Sequence, residues 1–231
     1  MRGPIVLAYH GVGRAADDTD PTRLITSPRH LESQVRLLRR LGYRFATAEQ
    51  VLAGSGGDAP PDRTAVLTFD DGFRSWLTDA LPLLQRLGIR ATFYVCPGWL
   101  GGHHPEVAGE EGRLLDADDA RALVGAGMEL GSHAMAHADL RELDDEALRD
   151  DLASSKAGVE ELTGRPCRTL AYPFGLFGER EERAAAEAGY ELAFGWWPGP
   201  WRRFAAPRLP GPPRHGAARL AAKLMGVRRR G

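Results

Sequence analysis

Two adjacent carboxylates, Asp70 and Asp71, follow a short apolar run in the stretch VLTFDDGF and stand directly before a glycine. Neighbouring side chains on a strand point to opposite faces, so both acids can serve one site only where the chain leaves the strand. A single Asp before a helix is an ordinary N-cap, but two acids permit a division of labour. One can bind a metal ion while the other accepts a proton from a water that attacks the substrate.

Two histidines, His133 and His137, stand four residues apart in the stretch GSHAMAHADL. On a helical turn this spacing brings both imidazoles to one side, where they can bind one cation. With one carboxylate of the Asp pair they form a two-histidine, one-carboxylate set. Such a set suits a catalytic zinc ion that keeps an open position for water, and it also suits other divalent ions.

The elements that must position these residues alternate between short apolar strands and amphipathic helices. Strand-like runs lie at 5–9, 65–69, 90–95, 128–130, 169–172 and 190–194, and helical patterns lie at 28–42, 76–87, 116–127, 144–163 and 181–189. This alternation predicts a parallel sheet with crossover helices, either closed as a barrel or open. No linker is long enough to divide the chain, so we expect one α/β domain over all 231 residues.

Polar side chains follow four of these strands. They are His10, the Asp pair, the stretch SHAMAH and the stretch PFG around Phe174. In parallel α/β folds the ends of successive strands converge on one face of the molecule. The sequence therefore predicts that these four segments meet in one site.

The overall composition excludes several function classes. Lysine and arginine total 30 against 31 aspartate and glutamate, a net charge of −1, so no broad surface for nucleic acid or an anionic membrane is expected. No window approaches the roughly 18 apolar residues that a membrane span requires. The apolar run near the start is too short for a signal peptide, and if Met1 is the natural start we expect a cytoplasmic protein.

Two further features are expected to have no chemical role. Cys96 and Cys167 lie far apart, each beside an apolar stretch, which predicts buried free thiols. The basic run RRRG closes the sequence, and we expect residues 214–231 to form a solvated basic tail.

Three stretches, TFDDGF, GSHAMAHADL and LAYPFG, resemble in order and spacing the first three motifs of the polysaccharide deacetylase family, carbohydrate esterase family 4. The resemblance extends over most of the chain. It implies a distorted (β/α) barrel of about seven parallel strands. It also implies an enzyme that removes N- or O-acetyl groups from a sugar polymer with one divalent metal ion.

The resemblance further implies roles for individual residues. Carried over motif by motif, Asp70 would be the general base, and Asp71, His133 and His137 would be the metal ligands. The PFG stretch would direct the backbone N–H of Phe174 toward the developing oxyanion.

This chain departs from the family pattern at three places. Ala134 follows the first metal-binding histidine, where the family usually has Ser or Thr, so one hydrogen bond near the ligands is missing or supplied elsewhere. Ala171 stands where many members have an arginine. Arg208, in APRLP near the predicted last strand, could orient Asp70 instead, or it could be a surface residue.

The third departure concerns the general acid, which the family commonly supplies from a C-terminal motif resembling L-x-x-H. This chain has no clear counterpart, although His215 in PPRHG is one candidate. The opening LAYHGV is similar to the start of the biofilm-type poly-N-acetylglucosamine deacetylases, whose catalytic histidine comes from the N-terminal strand. We therefore expect His10 to be the acid, since an imidazole with a pKa near 6.5 can supply a proton at neutral pH.

The sequence thus predicts a metal-dependent hydrolase that removes acetyl groups, in the first place N-acetyl groups, from an amino-sugar-containing glycan or glycoconjugate. We expect Zn²⁺, with Co²⁺, Ni²⁺ and Mn²⁺ as alternatives. Two other interpretations are a glycan-binding protein with weak catalysis and a binuclear phosphoesterase, for which only His103 and His104 offer spare ligands. Four tryptophans in predicted loops could stack on sugar rings or cover the core: Trp99, Trp196, Trp197 and Trp201.

Overall fold

The computed structural model describes residues 4–55, 63–196, 199–211 and 216–228, in which eight strands and seven α-helices alternate except that β8 follows β7 directly. The strands are β1 (Ile5–Tyr9), β2 (Arg44–Ala46), β3 (Thr64–Asp70), β4 (Thr92–Val95), β5 (Glu129–Ser132), β6 (Thr169–Ala171), β7 (Leu192–Trp196) and β8 (Ala206–Pro210). The helices are α1 (Pro28–Arg40), α2 (Ala48–Ser55), α3 (Leu81–Arg86), α4 (Ala117–Gly125), α5 (Asp145–Thr163), α6 (Glu179–Glu187) and α7 (Ala217–Arg228).

Seven of these strands close into a parallel barrel. The sheet runs β1-β8-β7-β6-β5-β4-β3, and β1 also pairs with β3, which joins the two ends. Strand β2 lies outside this ring, and among the described strands it pairs with the beginning of β3 alone, with Arg44 opposite Thr64. The predicted barrel of parallel strands is therefore confirmed.

Strand β3 shows how the two faces of the barrel divide the side chains. Leu67 and Phe69 belong to the larger apolar cluster, which fills the space between the strands and the surrounding helices. Val66 belongs to the smaller cluster, which residues of six barrel strands form together with residues of α2 at one end of the barrel. Since side chains alternate along a strand, Thr68 and Asp70 share the inner face with Val66. The period of this strand therefore directs Asp70 into the barrel.

The predicted helices begin and end at recognisable capping residues. Ser27 accepts a hydrogen bond from the N–H of His30 at the start of α1, and Pro28 takes the first helical position, where its missing N–H costs nothing. Asp144 caps α5 in the same way, and Gly164 ends α5 in the left-handed conformation. These local signals explain why the helix positions could be predicted.

The C-terminal segment differs from the predicted tail over 214–231. Residues 217–228 form α7, which packs against α1 and buries Leu220 and Leu224. The backbone N–H of Ala217 also donates to the Ser33 hydroxyl of α1. Most of this segment is therefore a helix packed on α1, while residues 214–215 and 229–231 lie outside the described part of the chain.

Two other sequence expectations concern the body of the protein. Cys96 and Cys167 are both buried and free, as predicted. None of the helices in the described part of the chain is long and apolar enough to cross a membrane.

Candidate active site

The two adjacent acids lie where β3 ends and the chain turns. Asp70 is the last residue of the strand, Asp71 has a φ of 82°, and Gly72 follows with a φ of 88°. This left-handed turn breaks the alternation of the strand, and His133 Nε2 lies 4.0 Å from Asp70 Oδ2 and 3.4 Å from Asp71 Oδ1. Both acids are almost fully buried. The chain therefore leaves the strand between the two acids, and this turn allows both of them to face one site.

The two histidines follow β5 in an irregular loop. The predicted helical turn is wrong, because Ala134 has a φ of 63° and His137 a φ of 54°. The loop still brings the two rings together with centroids 4.9 Å apart. Each Nε2 atom lies 3.4 Å from Asp71 Oδ1. The loop therefore places both histidines beside Asp71 through a backbone geometry other than a helical turn.

Hydrogen bonds fix the orientation of His133 and of the loop that carries it. His133 Nδ1 lies 2.6 Å from the carbonyl oxygen of Ala171, so the ring donates there and directs Nε2 toward Asp71. The backbone N–H of Met135 donates to Asp151, and the N–H of Ala134 donates to the Ser132 hydroxyl. These contacts stabilise the loop, in which Ala134 replaces the hydroxyl residue usual in the family.

Asp71, His133 and His137 form a cluster that fits a divalent metal ion. One potential ligand atom from each residue lies within 4.8 Å of the others. Asp71 Oδ1 is buried and has no hydrogen-bond partner among the described residues, although two imidazole nitrogens face it. A buried carboxylate oxygen without a partner is costly, and a cation between these three groups would remove that cost. Two imidazoles and one carboxylate suit zinc and related ions.

Asp70 is held by a fully buried arginine from β8, which is separated from β3 by β1 alone. Arg208 on β8 donates from Nη1 to Asp70 Oδ1 at 2.7 Å and to the Thr68 hydroxyl at 3.2 Å. Its guanidinium also lies over the rings of Tyr94 and Trp196. Of the two possibilities raised by the sequence, the structure shows Arg208 beside Asp70 and not at the surface. The other oxygen, Asp70 Oδ2, is not held by Arg208.

The charges around the site set the protonation states of these groups. Burial raises the pKa of Asp70, but Arg208 and His133 outweigh it and hold the pKa below its ordinary value. Burial also raises the pKa of Asp71, and the neighbouring histidines outweigh it and hold that pKa well below its ordinary value. Burial, reinforced by His133, lowers the pKa of His137 to about 4. At neutral pH both carboxyls are therefore ionised and His137 is neutral, the forms that bind metals. For His133, burial lowers the pKa, but Asp70 and Asp71 outweigh it and raise the pKa, so a metal ion there would compete with a proton.

His10 lies at the mouth of the barrel beside the acids. Strand β1 pairs with β3 so that Tyr9 is opposite Phe69, which makes His10 and Asp70 lateral neighbours. His10 Nε2 lies 3.9 Å from Asp71 Oδ2, and the indole N–H of Trp76 donates to the His10 carbonyl oxygen at 2.8 Å. The side chain is 22% exposed. His10 can therefore reach both the site and solvent.

Phe174 follows β6 and adopts a left-handed backbone with a φ of 56°. The residue is 47% exposed, and its ring packs edge-on against that of His137 with centroids 4.4 Å apart. Six non-glycine residues of the described chain have a positive φ, and four of them are at this site: Asp71, Ala134, His137 and Phe174. Such conformations are costly for residues with a side chain and concentrate at functional sites.

His104 is a site residue whose position the sequence patterns did not predict. The loop between β4 and α4 carries it across the barrel mouth, where its Nε2 lies 3.4 Å from Asp71 Oδ2. The adjacent His103 is exposed and lies 2.7 Å and 3.1 Å from the carbonyl oxygens of Gly109 and His104. The two residues considered as ligands of a second ion therefore have separate environments. Among the described residues, the one cluster of three side chains close enough to hold a metal ion is Asp71, His133 and His137, which includes neither of them.

A cavity of about 390 Å³ opens above these residues. Its lining includes Asp70, Asp71, His10, His104, His133, His137, Phe174, Arg208, Trp99 and Trp196. Trp201 packs edge-on against Phe194, whereas Trp197 lies outside the described residues. His215, the alternative acid, also lies outside the described residues. Of the three tryptophans that lie in the described part of the chain and were considered for sugar stacking, Trp99 and Trp196 line the cavity.

Comparisons with known proteins agree with the motifs and the fold. The sequence model of the family described as polysaccharide deacetylase matches residues 57–193. YxkH of Bacillus subtilis (strain 168) is 23% identical over 195 residues, which cover 84% of this chain and 64% of that protein. The Escherichia coli (strain K12) protein named poly-beta-1,6-N-acetyl-D-glucosamine N-deacetylase is 32% identical over 99 residues, or 42% of this chain and 14% of that protein. The chain thus matches less than two thirds of the length of either relative.

A solved structure shows the same fold over nearly the whole chain. The Streptococcus pyogenes deacetylase PplD, in complex with acetate, superposes with a TM-score of 0.80 at 22% sequence identity. The superposition covers 96% of this chain and 97% of PplD. At 22% sequence identity this similarity shows a shared fold and nothing more.

Proposed function

Because this chain belongs to the polysaccharide deacetylase family, we propose that it is a metal-dependent hydrolase that removes N-acetyl groups from an amino-sugar-containing glycan or glycoconjugate. One observation carries the proposal: the buried cluster of Asp71, His133 and His137 lies at one cavity with the ion-paired Asp70. Amide hydrolysis needs an activated water, a proton acceptor and a proton donor, and this cavity offers a group for each. The proposed substrate class also follows the name of the E. coli relative.

Asp71, His133 and His137 are the residues that we propose to hold the metal ion, with Zn²⁺ as the first choice and Co²⁺, Ni²⁺ or Mn²⁺ as alternatives. When bound, a zinc ion supplies Lewis acidity, which lowers the pKa of a water to about 7 and polarises a carbonyl group. The hydrogen bond from His133 Nδ1 to Ala171 keeps Nε2 free for this purpose.

Asp70 is the proposed general base. Arg208 holds Asp70 Oδ1, which leaves Oδ2 to accept the proton of the attacking water. The pKa of Asp70 lies below its ordinary value, so the carboxylate is charged at neutral pH and able to accept. Arg208 acts here as a positioning residue, because it contacts the base and fixes which oxygen is available.

Phe174 and His10 are proposed to complete the reaction. The backbone N–H of Phe174 would donate to the oxyanion that develops when the acetyl carbonyl is attacked. In enzymes where one such donor was removed, the loss was about 2.7–4 kcal/mol of transition-state stabilisation. His10 Nε2 would then deliver a proton to the leaving amine, which departs poorly without one.

Acetate release tests the proposed reaction directly. The purified chain, stripped of metal and then restored with Zn²⁺, is incubated with β-1,6-linked N-acetylglucosamine oligomers, other N-acetylated sugars and O-acetylated sugars. We expect acetate from N-acetylated substrates, loss of release after chelation, and recovery on metal addition.

Three other outcomes would contradict the proposal. Tight metal binding without any acetate release would favour a glycan-binding protein. Two ions per chain together with phosphate-ester hydrolysis would favour a binuclear phosphoesterase. Acetate release from O-acetylated sugars alone would show that the protein hydrolyses an ester bond and not the proposed amide bond. None of these experiments tests the cytoplasmic location expected from the sequence, which stays a prediction.

A further inference from the structure

His104 belongs to a loop that backbone hydrogen bonds tie across the barrel mouth. The N–H of Gly101 donates to Leu115, and the N–H of Leu115 donates to Gly72, next to the acids. The N–H of His104 itself donates to the carbonyl oxygen of Gly112 at 2.7 Å. The loop therefore returns to the end of β3 and delivers His104 beside Asp71.

Packing against two aromatic rings fixes the plane of the His104 imidazole. The ring stacks on Phe73 with centroids 4.8 Å apart and an interplanar angle of 21°. Trp99 meets it edge-on at 5.5 Å. The residue is only 4% exposed. A buried ring held on two sides keeps its nitrogens in fixed directions.

The hydrogen bond at the far nitrogen determines which nitrogen carries the proton. The backbone N–H of Glu106 donates to His104 Nδ1 at 3.1 Å, so Nδ1 is an acceptor. A neutral imidazole whose Nδ1 accepts carries its proton on Nε2. That Nε2 lies 3.4 Å from Asp71 Oδ2. The ring therefore presents an N–H to one oxygen of the acid, while the other oxygen faces His133 and His137.

From this geometry we propose that His104 is a positioning residue for Asp71 as a metal ligand. Its Nε2–H holds Asp71 Oδ2 and thereby keeps Oδ1 directed at the two histidine ligands. Partners behind a metal ligand typically contribute a factor of about 10–100 in metal affinity. The inference rests on the metal centre of the proposed function but not on the reaction assigned to it.

The same observations argue against His104 as a fourth ligand. Its Nε2 carries the proton as long as Nδ1 accepts from Glu106, and a protonated nitrogen cannot bind a metal ion. The described cluster of mutually close ligand atoms contains only Asp71, His133 and His137. His104 thus contacts the carboxylate and stays outside the ligand set.

Metal affinity measured without substrate tests this role. The dissociation constant for Zn²⁺ is determined by competition with a chelator for the parent chain, His104→Ala, His104→Gln and the control His30→Ala, which changes a histidine of α1. We expect affinity about 10–100-fold weaker for His104→Ala, recovery to within a few-fold for His104→Gln, and no change for His30→Ala. Glutamine restores an N–H donor, so its recovery separates hydrogen bonding from simple filling of space.

A spectroscopic measurement on the parent chain keeps the test independent of how the variants fold. Nitrogen-15 NMR of the histidine rings should show a proton on His104 Nε2 both before and after Zn²⁺ addition, while His133 and His137 shift. Loss of that proton on Zn²⁺ addition, unchanged affinity in folded His104→Ala, or no recovery in folded His104→Gln would overturn the proposal.

Acetate release, measured in parallel, separates the two proposals. A protein that binds Zn²⁺ with the expected dependence on His104 but releases no acetate would leave this inference standing and remove the proposed reaction. Acetate release without any effect of His104 on the Zn²⁺ affinity would support the proposed reaction and overturn the role of His104. No Zn²⁺ binding by the parent chain would overturn both.

Discussion

Asp70 and Asp71 are neighbours in sequence with different electrostatic partners. A guanidinium holds Asp70, whereas imidazoles surround Asp71. The lowered pKa of Asp70 makes it a weak base, and a weak base can accept a proton from water only if the acidity of that water is raised. The two acids are therefore complementary in the proposed reaction, because an ion held by Asp71 and the two histidines would provide that acidity.

Replacing the proposed base should separate metal binding from turnover. In Asp70→Asn the amide oxygen can still accept from Arg208, but the side chain cannot accept a proton from water. We expect Zn²⁺ to be retained and acetate release to fall by about 100-fold or more. Metal analysis and acetate release on the same preparation check this, with Asp118→Asn on the surface of α4 as the control. Because Asp70→Asn also leaves the buried Arg208 guanidinium without a charged partner, the thermal unfolding of Asp70→Asn must be measured as well. Activity close to the parent level would place the base elsewhere.

His10 can be tested through the leaving group. An amine needs a proton to depart, whereas the alcohol of an activated ester does not. We expect His10→Ala to keep its fold and its metal, to hydrolyse an N-acetyl substrate about 100-fold more slowly or worse, and to lose much less activity on an activated acetyl ester. Rates on the two substrates are compared for the same protein. An equal loss on both would indicate a binding or structural role, and a defect in His215→Ala without one in His10→Ala would assign the acid to the C-terminal histidine.

At the scale of elements, the sequence predicted the regular parts well and the connecting loops poorly. Strand β1 was predicted with its observed bounds because its five residues are apolar and a polar histidine follows. Strand β8 carries prolines at both Pro207 and Pro210, which argue against a central strand, so only its neighbourhood was recognised. Strand β2 has three residues and is too short to show a pattern.

The site shows the same division between regular elements and loops. Residues that follow a strand directly were found from the sequence, because parallel strands bring their ends together. His104 was considered only as a spare ligand because bonds between distant backbone groups deliver it to the site, and no local pattern encodes them. A stretch of neighbouring histidines in the loop between β4 and α4 was the one available signal.

Glu129, a half-buried acid at the start of β5, contacts α2 in a way that depends on pH. Its carboxylate accepts from the backbone N–H of Glu49 in α2 and from the Thr169 hydroxyl. Burial raises the pKa of Glu129 to about 7, and the nearby Glu49 contributes to the increase. In the unfolded chain the pKa returns to its ordinary value of 4.5. The protonated form therefore stabilises the fold below pH 4.5, and this contribution is lost as the pH rises through about 7.

Glu129→Gln should remove this dependence on pH. The amide oxygen can still accept from Glu49, and the side chain no longer titrates. We expect the free energy of unfolding of the variant, relative to the parent, to increase from pH 4.5 to about 7 and to level off above that. Denaturant unfolding at several pH values measures it, with the exposed Glu187→Gln as the control. A constant difference across this range would contradict the assignment.

At the scale of the whole molecule, closure of the barrel by β1 brings together residues from both ends of the chain. Strand β1 lies between β3 and β8, so His10, Asp70 and Arg208 come from three adjacent strands. Helix α7 then packs on α1, the helix that follows β1. The C-terminal helix α7 therefore packs on the layer of helices outside the barrel, at the helix that follows β1.

The contribution of α7 can be measured at its buried face. Leu220 is fully buried, and truncating a buried leucine to alanine costs about 2–5 kcal/mol. We expect Leu220→Ala to lower the free energy of unfolding by an amount in this range, while activity per folded molecule is unchanged because α7 lies outside the barrel. Denaturant unfolding and acetate release measure the two quantities, and the exposed Arg219→Ala on the same helix is the control. A loss of less than about 0.5 kcal/mol would show that α7 contributes little to the fold.

The residues with left-handed backbone around the cavity lower the stability of the fold, yet the proposed activity depends on them. A non-glycine residue in this conformation costs about 1–2 kcal/mol, and Asp71, His137 and Phe174 each carry a side chain or an N–H that the proposed chemistry uses. Glycine at these positions would relax the backbone, but at Asp71 and His137 it would remove a ligand. Engineering for heat resistance that screens for stability alone will therefore tend to select changes that inactivate this centre. A useful screen must select for metal binding at the same time.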